Sequence, residues 1–175
     1  MRAKTLACGF LLAAVSLVPA SPRAAPQKKD YLTATEADKI RDAETPSKRV
    51  KLLLSFAADR IKKLQYELSR PAEGDRRRAE RLNGLLNAYT GCVDDAAQLI
   101  ELGRDKQEDI RDGIREMESR AKEFLAYLEG LAANGPERAS YKQTLEDAIE
   151  GTRDALQEAE KAAKEIAPPP VRRKR

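Results

Sequence analysis

The chain has 175 residues, 35% of them charged and 5% aromatic, with 33 basic against 29 acidic side chains and no histidine. Without histidine it has no Ser-His-Asp or Cys-His catalytic group, no histidine zinc ligand, and none of the Glu-x-x-His pairs by which ferritin-like bundles hold two metal ions. Charge is segregated: between Tyr31 and Ala167 there are 24 basic and 28 acidic residues, so the basic excess belongs to the ends and the body offers no basic face for nucleic acid.

The first 20 residues read as a signal peptide. Arg2 and Lys4 form a basic n-region, Thr5 to Val18 is uncharged and apolar, and Val18-Pro19-Ala20 supplies the small residues read by a signal peptidase. The apolar stretch is short of the roughly 20 residues a membrane span needs. Cleavage after Ala20 is favoured over cleavage after Ala25, because Pro26 would follow the latter cut. A lipoprotein reading through Thr5-Leu6-Ala7-Cys8 fits poorly, since the cysteine precedes the apolar run instead of ending it. Removal of Arg2 and Lys4 lowers the formal charge from +4 to +2 and leaves Cys92 as the single cysteine. In an oxidising compartment Cys92 is then either a packed thiol or half of an intermolecular disulfide.

A leader, 21–30, precedes the predicted helical domain, 31–167, whose apolar residues recur with helical periodicity and nowhere alternate as in a strand. Thr33 and Glu36 form a capping box that opens a short helix to about Glu44, with Ala37 and Ile40 on one side. Thr45 followed by Pro46 starts a second helix that runs to about Arg70 and ends at Pro71-Ala72-Glu73-Gly74. Its residues Val50, Leu54, Ala57, Ile61, Leu64 and Leu68 form a four-three seam, the pattern of helices packed at a shallow angle.

Asp75 is the predicted cap of the next helix, whose seam is Leu82, Leu86, Tyr89, Val93, Ala96 and Ile100. The rhythm resumes at Ile110, Ile114, Met117, Ala121, Phe124, Leu128 and Leu131. Two readings compete here. Gly103 as a C-cap, with Asp105 and Glu108 as a fresh capping pair, gives the 25–30-residue helices of an up-and-down four-helix bundle. The ten-residue spacing from Ile100 to Ile110 keeps the seam in phase and favours one unbroken helix from Arg76 to Ala133, about 87 Å long. The apolar stripe is widened by Leu85, Cys92 and Leu99 in its first half but not by Lys106, Gly113, Arg120 and Tyr127. The first two helices are therefore expected to pack on that first half, and the last helix antiparallel on the second. Asn134-Gly135-Pro136 stops the rhythm, and the last helix carries Leu145, Ile149, Thr152, Leu156, Ala159, Ala163 and Ile166, flanked by Ala148, Ala155 and Ala162. Pro168-Pro169-Pro170 and Arg172–Arg175 form a basic tail, 168–175. The expected fold is thus all-α, an elongated antiparallel helical bundle or set of coiled-coil-like hairpins, with about four helices and one very long central helix.

The remaining constellations carry little chemistry. Asp105, Glu108, Asp109 and Asp112 are interleaved with Arg104, Lys106 and Arg111 and lack the spacing of a calcium-binding loop, so they read as a solvated face. Asp94 and Asp95 beside Cys92 oppose thiolate formation, which disfavours a nucleophile. Arg76, Arg77 and Arg78 open a helix where the dipole disfavours positive charge, which hints at an anionic partner. Asn83, Asn87, Thr90 and Asp94 form a lightly charged polar stripe suited to contact with a partner helix or peptide. No catalytic residue, metal ligand or cofactor site is expected. The sequence points to an exported, non-enzymatic interaction, adaptor or structural protein of the cell envelope or secreted space. Its expected partner is another protein or a second copy, not nucleic acid. The tail allows only weak contact with a membrane, since four charges lack an apolar anchor. The competing class is an extracytoplasmic module binding a small ligand in the bundle core.

Overall fold

Residues 31–70 and 75–166 are described by a computed structural model, and every regular element among them is helical. The predicted signal peptide 1–20, the leader 21–30, the 71–74 turn and the basic tail 168–175 lie outside the described residues.

Helix α1 (Ala34–Asp42) begins with the predicted capping box: Thr33 accepts from the Glu36 amide, and the Glu36 carboxylate accepts from the Thr33 amide. Helix α2 (Pro46–Ser69) starts on Thr45, whose hydroxyl accepts from the Lys48 amide, with proline in the first turn. Helix α3 spans Arg78–Asp105, α4 Arg111–Asn134 and α5 Lys142–Glu165, and a short 3-10 turn, Arg138–Ser140, precedes α5. Asp75 does not cap α3 as expected. Its side chain accepts from the amide of Arg77, one residue before the helix start, and Arg77 itself occupies the N-cap.

The unbroken central helix is overturned, because α3 ends at Asp105 and the chain reverses into α4. Gln107 adopts a left-handed conformation (φ 54°), the Glu108 amide donates to the Gly103 carbonyl at 2.8 Å, and the Gln107 amide donates to the Arg104 carbonyl at 3.0 Å. This is a Schellman closure with glutamine where glycine is usual. Gly103 is needed for another reason. Ile110 folds back on the α3 backbone so closely that a Cβ at Gly103 would stand 2.5 Å from Ile110 Cγ2. The predicted Asp105/Glu108 capping pair is also absent, since Ile110 is the N-cap of α4 and no side chain caps it. Both Ile100 and Ile110 are fully buried, and the shared phase reflects two helices that each need a seam.

The described residues thus form five α-helices instead of the expected four: four long ones, with α1 laid across one face. In order round the bundle the long helices are α2, α3, α5 and α4, so α3 and α4 stand diagonally and reach each other through long core side chains such as Tyr89 and Phe124. Helices α2 and α3 are antiparallel, as Glu67 to Arg81 shows, and α4 and α5 are antiparallel, joined through Glu129 and Arg153. The other two neighbouring pairs are parallel. Asn83, Tyr89 and Arg104 of α3 meet Thr144, Thr152 and Glu158 of α5 in the same order, and Ser47 and Lys51 of α2 meet Asp109 and Asp112 at the start of α4. The expected antiparallel bundle therefore holds for two of its four sides. At 28 residues, the longest helix is about 42 Å, half the span expected of a continuous one.

The seams are the core. Every predicted seam residue of α3 and α4 is buried, as are Val50, Leu54, Ala57, Ile61 and Leu64 of α2. In α5 the buried arc drifts to Ala148, Ala155, Ala159 and Ala162, whereas Leu156 is only partly buried and Ala163 is exposed. Helix α5 faces α3 and α4 together, and alanines on that arc admit both at close range. Gly113 does the same for α4 against α2, where a Cβ would lie 3.2 Å from Val50 Cβ.

Two polar clasps close the ends. At one end Arg78, only 4% exposed, donates Nε to both Glu137 oxygens (3.0 and 2.9 Å) and Nη2 to the Arg70 carbonyl (2.9 Å). It thereby fastens the exit of α2, the entry to α3 and the α4–α5 turn. At the other end Arg104 pairs with Glu158 and, at 3.5 Å, with Glu165.

Candidate functional site

The predicted polar stripe faces α5 along much of its length. All of Asn83's hydrogen-bonding groups are engaged: its amide donates to the Ala79 and Ser140 carbonyls (2.7 and 2.8 Å), and its oxygen accepts from the Thr144 hydroxyl (2.5 Å). Thr90 donates to the Leu86 carbonyl at 3.1 Å, and its methyl and Asp94 Oδ1 lie 3.6 and 3.5 Å from where a Cβ on Gly151 would stand. Asn87 is exposed. The stripe thus sets the register of α5 on α3, and Asn87 and Asp94 are its exposed members. Partial desolvation, then Asp95 and Asp154, push the Asp94 carboxyl above the usual range. Asp94, Asp154 and Glu158 border a shallow polar groove between α3 and α5, where Arg104 and Lys161 pair with Glu158. Arg78 of the Arg76–Arg78 run is likewise committed internally, to Glu137.

Cys92 is fully buried near Arg60 of α2 and Tyr31, so a disulfide to another chain requires the structure to open first. The reason lies in the approach to α1. The Tyr31 ring rests on Gly91, where a Cβ would come within 2.7 Å of it. The Tyr31 hydroxyl donates to Asp95 and its carbonyl accepts from Arg60 Nη2 at 3.1 Å. Desolvation and the Asp95 carboxylate raise the phenol well above its ordinary value. Arg60, 6% exposed, grips Glu36 with both terminal nitrogens at 2.5 and 2.7 Å. That grip, helped by the Thr33 hydrogen bonds and opposed by desolvation, holds the Glu36 carboxyl at about 2.

Held this way, α1 leaves an open groove of about 440 Å³ between itself, α2 and the last turns of α3. Leu32, Ile40, Leu53, Leu99 and Leu102 make it apolar, and Arg41, Arg49 and Asp95 stand on its rim. Leu102 is 51% exposed, unusual for a leucine on so charged a helix. The sequence marked Ile40 and Leu99 as apolar positions but passed over Leu32 and Leu102. The available signal was that Leu102 falls off the seam, beside the turn glycine.

Elsewhere the core satisfies its own polar groups. Thr152 donates its single proton to the Ala148 carbonyl (2.6 Å), so the Tyr89 hydroxyl, 2.7 Å from Thr152 Oγ1, is the donor between the two. The Tyr89 ring meets Phe124 edge to face at 5.4 Å. Among the described residues, no group of three or more Cys, Asp and Glu is placed to hold a metal ion, and no helix is long and apolar enough to cross a membrane. Comparison with protein-family models, curated proteins and solved structures found no match to this chain.

Proposed function

We propose that this is an exported, non-enzymatic protein that works by holding an apolar segment of another protein in the groove between α1 and the α2–α3 pair. The exposed Leu102, continuing the lining made by Leu32, Ile40, Leu53 and Leu99, carries the reading. An apolar strip rimmed by charge is the kind of surface that receives the anchors of an amphipathic helix. The bundle core is a poorer place for a ligand, because its buried hydroxyls of Tyr89 and Thr152 already bond one another. A small apolar ligand in the same groove is the second reading, favoured by a volume of about 440 Å³ that lies within the usual range for ligand sites of about 300–1,000 Å³.

A photo-crosslinker at the exposed Gln98, on the groove's edge, tests both readings in the native host. Capture of a defined protein that disappears in Leu102→Asp, with helicity unchanged, is the expected result. Capture that survives Leu102→Asp refutes the groove. Release of a small molecule from the purified wild type, but not from Leu102→Asp, selects the second reading. Mass measurement of the same protein checks export, which requires a chain beginning near Ser21.

A further inference from the structure

Helix α1 has nine residues and none of them is buried. So short a helix is unstable alone in water and persists only because something holds it. What holds it is a set of points. Arg60 grips Glu36 and the Tyr31 carbonyl, Tyr31 bonds Asp95 and lies on Gly91, and Arg49 Nε donates to the Ala43 carbonyl at 3.1 Å. Apolar support is thin by comparison, because Leu32 and Ile40 pack only partly buried against the core. Helices α2 to α5, by contrast, share one continuous core to which α1 contributes no buried residue.

The seam beneath records what this segment covers. Leu85, Cys92 and Leu99 occupy equivalent positions seven residues apart on the α2-facing flank of α3. Leu85 and Leu99 are only partly buried, whereas Cys92, beside the Tyr31–Gly91 contact, is fully buried. Tyr31, in the segment leading into α1, thus covers one side of the thiol, with Arg60 of α2 also close by.

We propose that residues 31–43 form a strap that opens as a unit while α2–α5 stay folded, and that its opening admits thiol reagents to Cys92 and uncovers the α2–α3 seam. Opening returns Glu36 and Arg60 to water, which offsets much of the lost ion pair, and it breaks few apolar contacts. Local opening at free energies well below that of global unfolding is characteristic of segments attached in this way. The strap also carries Leu32, Ile40 and Arg41 of the adjoining groove, so its opening takes that groove apart.

The test is the rate at which N-ethylmaleimide labels Cys92 in the full chain, resolved from Cys8 by peptide mass spectrometry, across urea concentrations below the global transition. The wild type is expected to label at a rate nearly independent of urea. Glu36→Gln, which removes the strap's charged anchor, should label at least tenfold faster. Gly91→Ala provides the second variant. Its Cβ displaces the Tyr31 ring, yet alanine is a better helix former than glycine, so α3 itself is not weakened. Faster labelling in Gly91→Ala with an undiminished urea midpoint supports the strap even where Glu36→Gln folds poorly. Labelling that tracks global unfolding in the wild type, or an unchanged rate in Gly91→Ala, overturns it.

Discussion

Replacing Gly103 with alanine gives opposite signs for the two chain paths that the sequence allowed. In a continuous helix the substitution is favourable, since alanine exceeds glycine by about 1 kcal/mol in a helix interior. In the observed structure the new Cβ would lie 2.5 Å from Ile110 Cγ2 and 2.9 Å from Cδ1. Those separations are about 1 Å inside comfortable carbon–carbon contact. Ile110 is β-branched and fully buried, so it cannot swing clear without moving the turn. Overpacking of this kind costs about 1–3 kcal/mol. Set against the propensity gain, Gly103→Ala should destabilise the protein by about 1 kcal/mol, read from urea unfolding followed by circular dichroism. The double mutant with Ile110→Ala supplies the control. Ile110→Ala alone should cost about 2–5 kcal/mol as a core truncation, but less in the Gly103→Ala background, where the methyl fills the vacated space. A favourable coupling of at least 0.5 kcal/mol follows. A stabilising Gly103→Ala, additive with Ile110→Ala, would refute the turn.

Three further outcomes are expected. Thr152→Val should cost more than Tyr89→Phe, about 1–3 against about 1 kcal/mol by urea unfolding, because it strands the buried tyrosine donor whereas the phenylalanine leaves Thr152 bonded to Ala148. The Glu36 carboxyl, lowered from 4.5 to about 2, contributes stability that is complete above about pH 4.5 and fades as pH falls toward 2. The stability–pH profile of Glu36→Gln should therefore be flatter across that window, and an unchanged acid limb would contradict the Arg60 grip. Asn83→Ala should cost about 1 kcal/mol through its lost bonds to α5, whereas Asn87→Leu should shift stability by no more than about 0.5 kcal/mol. Equal effects at both positions in thermal melts would show that the stripe is not the register of α5.

Sequence alone determined whatever depends on neighbours within one helix. The Thr33–Glu36 and Thr45–Pro46 starts, the Asn134-Gly135-Pro136 stop and the seams of α2, α3 and α4 are all present as read. Caps and seams follow from local hydrogen bonding and a period of 3.6, which a linear chain displays openly. The sequence left the turn at 106–110 undecided against a continuous helix because its left-handed residue is Gln107, not a glycine, and because Gly103 answers to Ile110 across a reversal that only the folded chain contains. The same holds for the site. Asn83 and Thr90 read as a contact stripe, and the helix they meet is α5, lying parallel beside them; Cys92, read as a packed thiol or half of an intermolecular disulfide, is buried where Tyr31, 61 residues earlier, settles on Gly91. Periodicity shows which face of a helix seeks a partner. Which helix arrives there is decided by the competition among all the faces at once, and only the tertiary structure records that result.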